Sequence, residues 1–174
     1  MATEQVLLVE ARGSVEWVTL NRPESGNALN TKMVDALIAY FEGLREREDV
    51  RIVVLKANGR HFCVGLDLAA GAFDSQQRNP RNVWSVQRRI ARIYLAMRKC
   101  PQPIICLVQG AACGGGFSLA LASDIRIAGE HSTLMLPEAC WGGFPGAGAP
   151  HRLPMAVGHA HALELIATAK EINA

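Results

Sequence analysis

Three consecutive glycines, Gly114 to Gly116, follow an apolar segment and open a short apolar helix. Because glycine has no side chain, a ligand can reach the backbone N–H groups at the positive end of that helix. The Gly65–Leu66 peptide lies in a loop after another apolar segment. Two backbone N–H groups that converge on one carbonyl oxygen form an oxyanion hole. The pattern therefore predicts an enzyme that stabilises an anionic intermediate.

A candidate acid or base accompanies these donors. Glu138 follows Leu136 and Pro137 in an apolar stretch before a glycine-rich loop. Apolar surroundings raise the pKa of a carboxyl group and suit it to general acid–base chemistry. Taken singly, each signal has a simpler interpretation: the glycine run as a tight strand–helix joint, and Glu138 as a helix-cap or salt-bridge residue. A phosphate loop is excluded because its Gly-Lys-Ser/Thr ending is absent.

The elements that would position these groups alternate along the chain. Apolar runs predict strands at residues 6–9, 15–20, 51–56, 104–108 and 124–128. Apolar residues at helical spacing predict a helix from Asn30 or Thr31 to about Arg47, a second with a stripe from Val83 to Met97, and two short helices at the end. Residues 58–81 are predicted to be irregular. This alternation indicates one α/β domain over residues 1–174, with parallel strands.

Composition narrows the function classes. A net charge of +2 is too small to indicate nucleic-acid binding, and the chain has no apolar run long enough for a membrane span. The five cysteines form no metal-ligand spacing, and the N-terminus has no signal-peptide pattern, so we expect a cytoplasmic protein without a metal. A cluster of basic residues is either a solvated helix face or a local attraction for phosphates; it comprises Arg78, Arg81, Arg88, Arg89, Arg92, Arg98 and Lys99.

Several motifs, in this order, resemble the enoyl-CoA hydratase/isomerase (crotonase) family from about residue 5 onward. They are 21–23 with 27–29, 61–68, 108–110, 114–116, 122–124, 136–138 and 144–148. The resemblance implies a crotonase-like spiral of repeated ββα units, an acyl-CoA substrate without a separate cofactor, and a homo-oligomer (trimer or hexamer). It also implies a C-terminal helical region that this sequence lacks, so we expect the domain to be truncated there.

The resemblance also assigns roles to individual positions. The backbone N–H groups of Leu66 and Gly115 match the two oxyanion donors of the family. Glu138 matches the second of two catalytic glutamates, and the first matches Ser118, one helical turn after Gly115. Positions that match the CoA-contacting region are Ala28, Val64, Leu66, Asp67, Leu68 and Ala69.

Ser118 is the main departure from the family pattern. A serine hydroxyl has a pKa far above neutrality, so it can orient water or substrate but cannot replace a glutamate as general acid or base. Enoyl-CoA hydratase or isomerase activity is the leading prediction. The alternatives are a hydroxycinnamoyl-CoA hydratase-lyase reaction, to which a serine with one glutamate is similar, and a non-catalytic acyl-CoA-binding protein.

Overall fold

The computed structural model describes residues 5–68 and 80–174. Its strands are β1 (Leu7–Arg12), β2 (Val15–Leu20), β3 (Ile52–Ala57), β4 (Ile104–Val108), β5 (Ala111–Cys113), β6 (Ile125–Ala128), β7 (Thr133–Met135) and β8 (Ile172–Asn173). Its α-helices are α1 (Thr31–Gly43), α2 (Pro80–Lys99), α3 (Gly115–Ala122), α4 (Ala149–Val157) and α5 (His159–Thr168). The α/β class predicted from the alternation is confirmed.

The strands form two sheets. The larger has the order β1-β2-β3-β4-β6, with β1 antiparallel to β2 and every other neighbour parallel. The smaller has the order β5-β7-β8. One parallel bridge joins Leu29 to Leu66, and another joins Cys63 to Ala112 of β5. The loop segments around Leu29, Cys63 and Leu66 therefore pair in extended form without being full strands. The result is the spiral of repeated ββα turns expected for a crotonase-like fold.

Helices α1 and α2 cover the larger sheet and complete the core. The Asn30 side chain accepts a hydrogen bond of 2.9 Å from the Met33 N–H and caps α1, an interaction that typically contributes about 1 kcal/mol. Apolar residues at helical spacing then point inward; the buried ones on α1 are Met33, Val34, Leu37, Ile38 and Phe41. On α2, Ile90, Ile93 and Met97 are buried, whereas Val83, predicted to share their stripe, is exposed.

The structure departs from the sequence-based boundaries in several places. Strand β1 continues to Arg12 rather than residue 9, α2 begins at Pro80 inside the segment predicted to be irregular, and β8 was not predicted. Helix α1 ends at Gly43 rather than near Arg47, and a 3₁₀ turn, Leu44–Glu46, follows it. Strands β5 and β7 were not predicted; each has three residues, too few for an alternating pattern to show. Helix α3 begins at Gly115 itself, because the glycines form its first turn rather than a loop before it.

Candidate active site

The two predicted oxyanion donors lie close together. Gly65 has a φ of 94°, and a Cβ there would lie 2.8 Å from the Cys113 carbonyl oxygen and 3.4 Å from the Gly115 nitrogen. A side chain is therefore excluded by both backbone conformation and space. Among the described residues, neither the Leu66 N–H nor the Gly115 N–H has an acceptor. Two unpaired donors therefore lie on adjoining backbone segments.

Local contacts hold the Leu66 side of this pair. The Leu29 N–H donates to the Gly65 carbonyl oxygen at 2.8 Å, and the Asp67 N–H donates to the Leu29 carbonyl oxygen at 3.3 Å. The Arg22 guanidinium bonds the Ala28 carbonyl oxygen at 2.7 Å and the Asp67 Oδ2 at 3.0 Å. Because the Arg22–Asp67 ion pair is largely shielded from solvent, it fixes the loop more firmly than a surface pair would.

Glu138 brings a carboxyl group to the same site. It lies in the 3₁₀ helix Pro137–Trp141, whose short turn follows strand β7. Its Oε2 atom is buried without a hydrogen-bond partner, while a Cβ on Gly114 would lie 3.3 Å from its Oε1. Partial burial raises the pKa of the Glu138 carboxyl above its ordinary value. A half-buried carboxyl without a salt-bridge partner is suited to proton transfer.

Ser118 lies on α3, one turn after Gly115, and is 3% exposed. It lines a cavity of about 530 Å³ together with Leu66, Gly115 and Glu138. The cavity therefore gathers both predicted donors and both predicted side chains. Among the described lining residues, Glu138 carries the only carboxylate.

Apolar and aromatic side chains form most of the remaining wall. Ile90 and Tyr94 contribute from α2, and Trp141 and Phe144 contribute from the segment after Glu138. Trp141 is 68% exposed and Phe144 is 70% exposed. Such a lining suits an acyl chain beside a small number of polar groups.

The residues predicted to contact CoA divide into three groups. Val64, Leu66 and Leu68 line the cavity. Ala28 and Asp67 are absent from its described lining, and both belong instead to the Arg22 contacts that hold the loop. Ala69 lies outside the described residues.

The sequence predictions missed several lining residues. Tyr94 lies four positions after Ile90 and could have been included in the α2 stripe from its spacing alone. Trp141 and Phe144 could have been noted as aromatic residues beside glycines. Gln87 also lines the cavity, but nothing in the sequence distinguishes it from the other polar residues of α2.

The basic cluster behaves mainly as a solvated helix face. Arg89 pairs with Asp35, Arg92 with Glu42, and Arg98 with Asp124, all as exposed or half-exposed ion pairs. Arg88 lies over the Trp84 ring at 5.2 Å from its centroid. These partners favour the solvated-face interpretation for the described members; Arg78 lies outside the described residues.

Other chemistries find no support in the described part of the chain. It contains no group of three or more His, Cys, Asp or Glu side chains arranged to hold a metal ion. None of its helices is both long and apolar enough to cross a membrane. The described cysteines are free thiols, and burial raises the pKa of Cys63 to about 12, so this thiol is not an activated nucleophile.

Comparison with known proteins connects this geometry to a family. The family model described as enoyl-CoA hydratase/isomerase matches residues 10–174. Enoyl-CoA hydratase EchA19 of Mycobacterium tuberculosis is 32% identical over 167 residues, which cover 96% of this chain and 62% of that protein. The 3-hydroxyisobutyryl-CoA hydrolase 1 of Arabidopsis thaliana is 35% identical over 160 residues, covering 88% of this chain and 42% of the relative.

Solved structures agree with this result. The crystal structure of an enoyl-CoA hydratase from Bacillus anthracis superposes with a TM-score of 0.91 at 34% identity, covering 98% of this chain and 65% of that one. The chain thus spans less than two thirds of the length of these relatives. Because the matched region contains the spiral, both donors and Glu138, the chain belongs to the enoyl-CoA hydratase/isomerase family.

Proposed function

We propose that this protein acts on acyl-CoA thioesters and stabilises an enolate, with enoyl-CoA isomerase or hydratase activity. One observation carries the proposal: the Glu138 carboxyl, whose Oε2 has no hydrogen-bond partner among the described residues, lines the same cavity as Leu66 and Gly115, whose backbone N–H groups have no acceptor there either. The thioester oxygen would accept hydrogen bonds from these two N–H groups. Donors held in place before the reaction stabilise the charge that develops there.

Isomerisation needs only these groups. The Glu138 carboxylate removes a proton from the carbon between the thioester carbonyl and the double bond of a 3-enoyl-CoA. The electron pair moves onto the thioester oxygen, where the Leu66 and Gly115 N–H groups hold it. Glu138 then returns the proton to the γ carbon, which moves the double bond to the 2 position. The proton is returned, and no water is consumed.

Hydration makes a greater demand on the site. Water adds its oxygen to the β carbon and gives a proton to Glu138, the electron pair moves onto the thioester oxygen, and Glu138 must then pass that proton to the α carbon. Ser118 can hold the water by a hydrogen bond, but a serine hydroxyl has a pKa far above neutrality and cannot act as a general acid or base. A single carboxylate in the described lining therefore favours isomerisation over efficient hydration of simple enoyl chains.

The aromatic wall favours a second candidate, the hydroxycinnamoyl-CoA hydratase-lyase reaction. Trp141 and Phe144 can stack against a planar aromatic acyl group. After water adds to the β carbon, the β-hydroxyl gives its proton to Glu138 and the bond between the α and β carbons breaks, which gives an aromatic aldehyde and the enolate of acetyl-CoA; Glu138 then returns the proton to the α carbon. The enolate of acetyl-CoA would be held by the same two donors.

Turnover of three substrates tests these reactions. Crotonyl-CoA, 3-hexenoyl-CoA and feruloyl-CoA are incubated with the wild-type protein and with Glu138→Gln, and products are separated by chromatography. We expect the wild type to convert at least one substrate and the variant to lose about 10²–10⁴-fold in rate while still binding it. If all three esters bind but remain unchanged, the protein is a non-catalytic acyl-CoA binder. Full activity in Glu138→Gln would disprove the assigned base.

Further family-based predictions accompany this proposal. CoA would enter only as part of the substrate, without a separate cofactor. The positions matched to CoA contacts, including Ala28, Asp67 and Ala69, stay predictions, as do a cytoplasmic location and a trimer or hexamer. Sedimentation analysis and co-crystallisation with a CoA ester would test the assembly and the CoA contacts, respectively.

A further inference from the structure

Tyr94 is a buried polar side chain in direct contact with the oxyanion donor segment. It lies on α2 and is 0% exposed. Its hydroxyl donates a hydrogen bond of 3.0 Å to the Gly115 carbonyl oxygen, and it also lines the cavity. Burial raises the pKa of the Tyr94 hydroxyl, so it stays protonated and keeps its role as donor.

The orientation of Gly115 depends on contacts at both of its ends. As the first residue of α3, it makes no intrahelical bond through its N–H, and as a glycine it has no side chain to restrict its dihedral angles. The peptide before it is held by the Ser118 N–H, which donates to the Gly114 carbonyl oxygen at 2.9 Å. Tyr94 holds the opposite end of the residue, the Gly115 carbonyl.

The contact is also spatially restrictive. A Cβ on Gly115 would lie 3.1 Å from the Tyr94 Oη and 3.0 Å from the Leu29 Cδ1. Gly115 is therefore packed between α2 and the loop that leads to the other donor. Loss of the Tyr94 hydroxyl would remove one of the contacts that hold Gly115 in the first turn of α3.

We propose that Tyr94 is a positioning residue that aligns the Gly115 N–H with the thioester oxygen. This inference rests on the proposed function for the identity of the anion, but its central measurement does not require turnover. Tyr94 itself need not touch the substrate. It acts through the backbone of Gly115, and loss of its hydroxyl should weaken the polarisation of the thioester carbonyl more than the binding of CoA.

The chain offers a matched pair of variants. Tyr94→Phe removes one hydroxyl at the site. Tyr40→Phe removes a hydroxyl on α1 that donates a hydrogen bond of 2.8 Å to the Oε2 of Glu16, and neither of these two residues lines the cavity. Both changes delete one hydrogen bond from a tyrosine that packs in or against the core. If only Tyr94→Phe has an effect, that effect comes from the position of its hydrogen bond and not from the loss of a tyrosine hydroxyl in general.

The measurement is the carbonyl stretching frequency of bound butyryl-CoA, labelled with ¹³C at the thioester carbonyl, by infrared difference spectroscopy. In the wild type we expect a frequency lower than that of free butyryl-CoA; Tyr94→Phe should return it toward the free value, and Tyr40→Phe should leave it unchanged. With a substrate that turns over, Tyr94→Phe should lower kcat about tenfold with little change in KM, less than the 10²–10³-fold loss expected for removing a donor outright.

Three results would overturn the inference: a wild-type protein that leaves the carbonyl frequency unshifted, a Tyr94→Phe variant with the wild-type frequency, or a Tyr40→Phe variant with the same change as Tyr94→Phe. Failure of the proposed function has a different signature. In that case no CoA ester is converted, yet the frequency still separates the two tyrosine variants.

Discussion

Gly116 packs directly against the carbonyl group of Cys63, and a Cβ at position 116 would overlap both its carbon and its oxygen. That oxygen also accepts a hydrogen bond of 2.9 Å from the Cys113 N–H. The third glycine of the run is therefore a packing requirement, whereas Gly115 presents its N–H next to Gly65. The interpretation of the glycine run as a tight joint therefore applies to Gly116, and its interpretation as an anion site stays a prediction for Gly115.

Substitution of Gly116 should reveal this packing. We expect Gly116→Ala to lower the free energy of unfolding by about 1–3 kcal/mol because the backbone of Cys63 must move. Gly43→Ala is the matched control, since Gly43 also lies in an α-helix but a Cβ there meets no atom within 4 Å. The control should be neutral or more stable by about 0.5–1 kcal/mol, the usual gain for alanine in a helix. Urea denaturation of the three proteins measures both effects, and equal stability of Gly116→Ala and wild type would contradict the packing.

The pH dependence of the reaction should follow Glu138. Its pKa is raised by burial, and the ionised form is the active base, so kcat/KM should fall as the pH drops through this raised value. We expect the midpoint of the acidic limb to lie above the ordinary glutamate pKa of about 4.3. The measurement is kcat/KM from pH 4 to 8 for the substrate that turns over, and a midpoint at or below the ordinary value would argue against Glu138 as the base.

The same shift has a consequence for stability. Because the folded-state pKa exceeds the unfolded value, the contribution of this carboxyl to stability is fully present below the unfolded pKa and is lost as the pH rises through the folded pKa. The charged form that serves the reaction is thus the form that the fold disfavours. The free energy of unfolding can be measured against pH for the wild type and for Glu138→Gln. If the two proteins differ over the same pH range as the acidic limb of kcat/KM, that limb belongs to Glu138.

Position 118 should control the balance between reactions. Ser118→Glu would place a second carboxyl group in the cavity, and we expect hydration of crotonyl-CoA to rise at least about tenfold because a proton-transferring group then faces the water. Ser118→Gln, of matching size but without a titratable group, serves as control. Crotonyl-CoA hydration is followed by loss of its enoyl absorbance, and an equal rate in both variants would show that position 118 faces away from the water.

Much of this architecture could be predicted from local patterns. Apolar runs predicted the strands of the larger sheet, and the Asn30 cap with its apolar stripe predicted α1. The shorter elements could not be predicted, because Cys63, Leu66 and the three-residue strand β5 pair with segments that lie about 20 to 50 residues away along the chain. The spacing of Tyr94 after Ile90 places it on the α2 stripe, but its hydrogen bond to Gly115 could not be predicted, since Gly115 lies 21 residues further along the chain.

The two donors proposed to bind the anion are main-chain groups, on segments joined by the bridges of Leu29 to Leu66 and of Cys63 to Ala112. A change of side chain at position 66 leaves the N–H in place, so single substitutions cannot delete it as they can delete Glu138. The proposed reaction would therefore divide into a part that is robust to mutation, the stabilisation of the enolate, and a part that is open to change at Ser118 and Glu138. New acyl-CoA reactions can evolve on such a scaffold one side chain at a time, without first losing the intermediate they share.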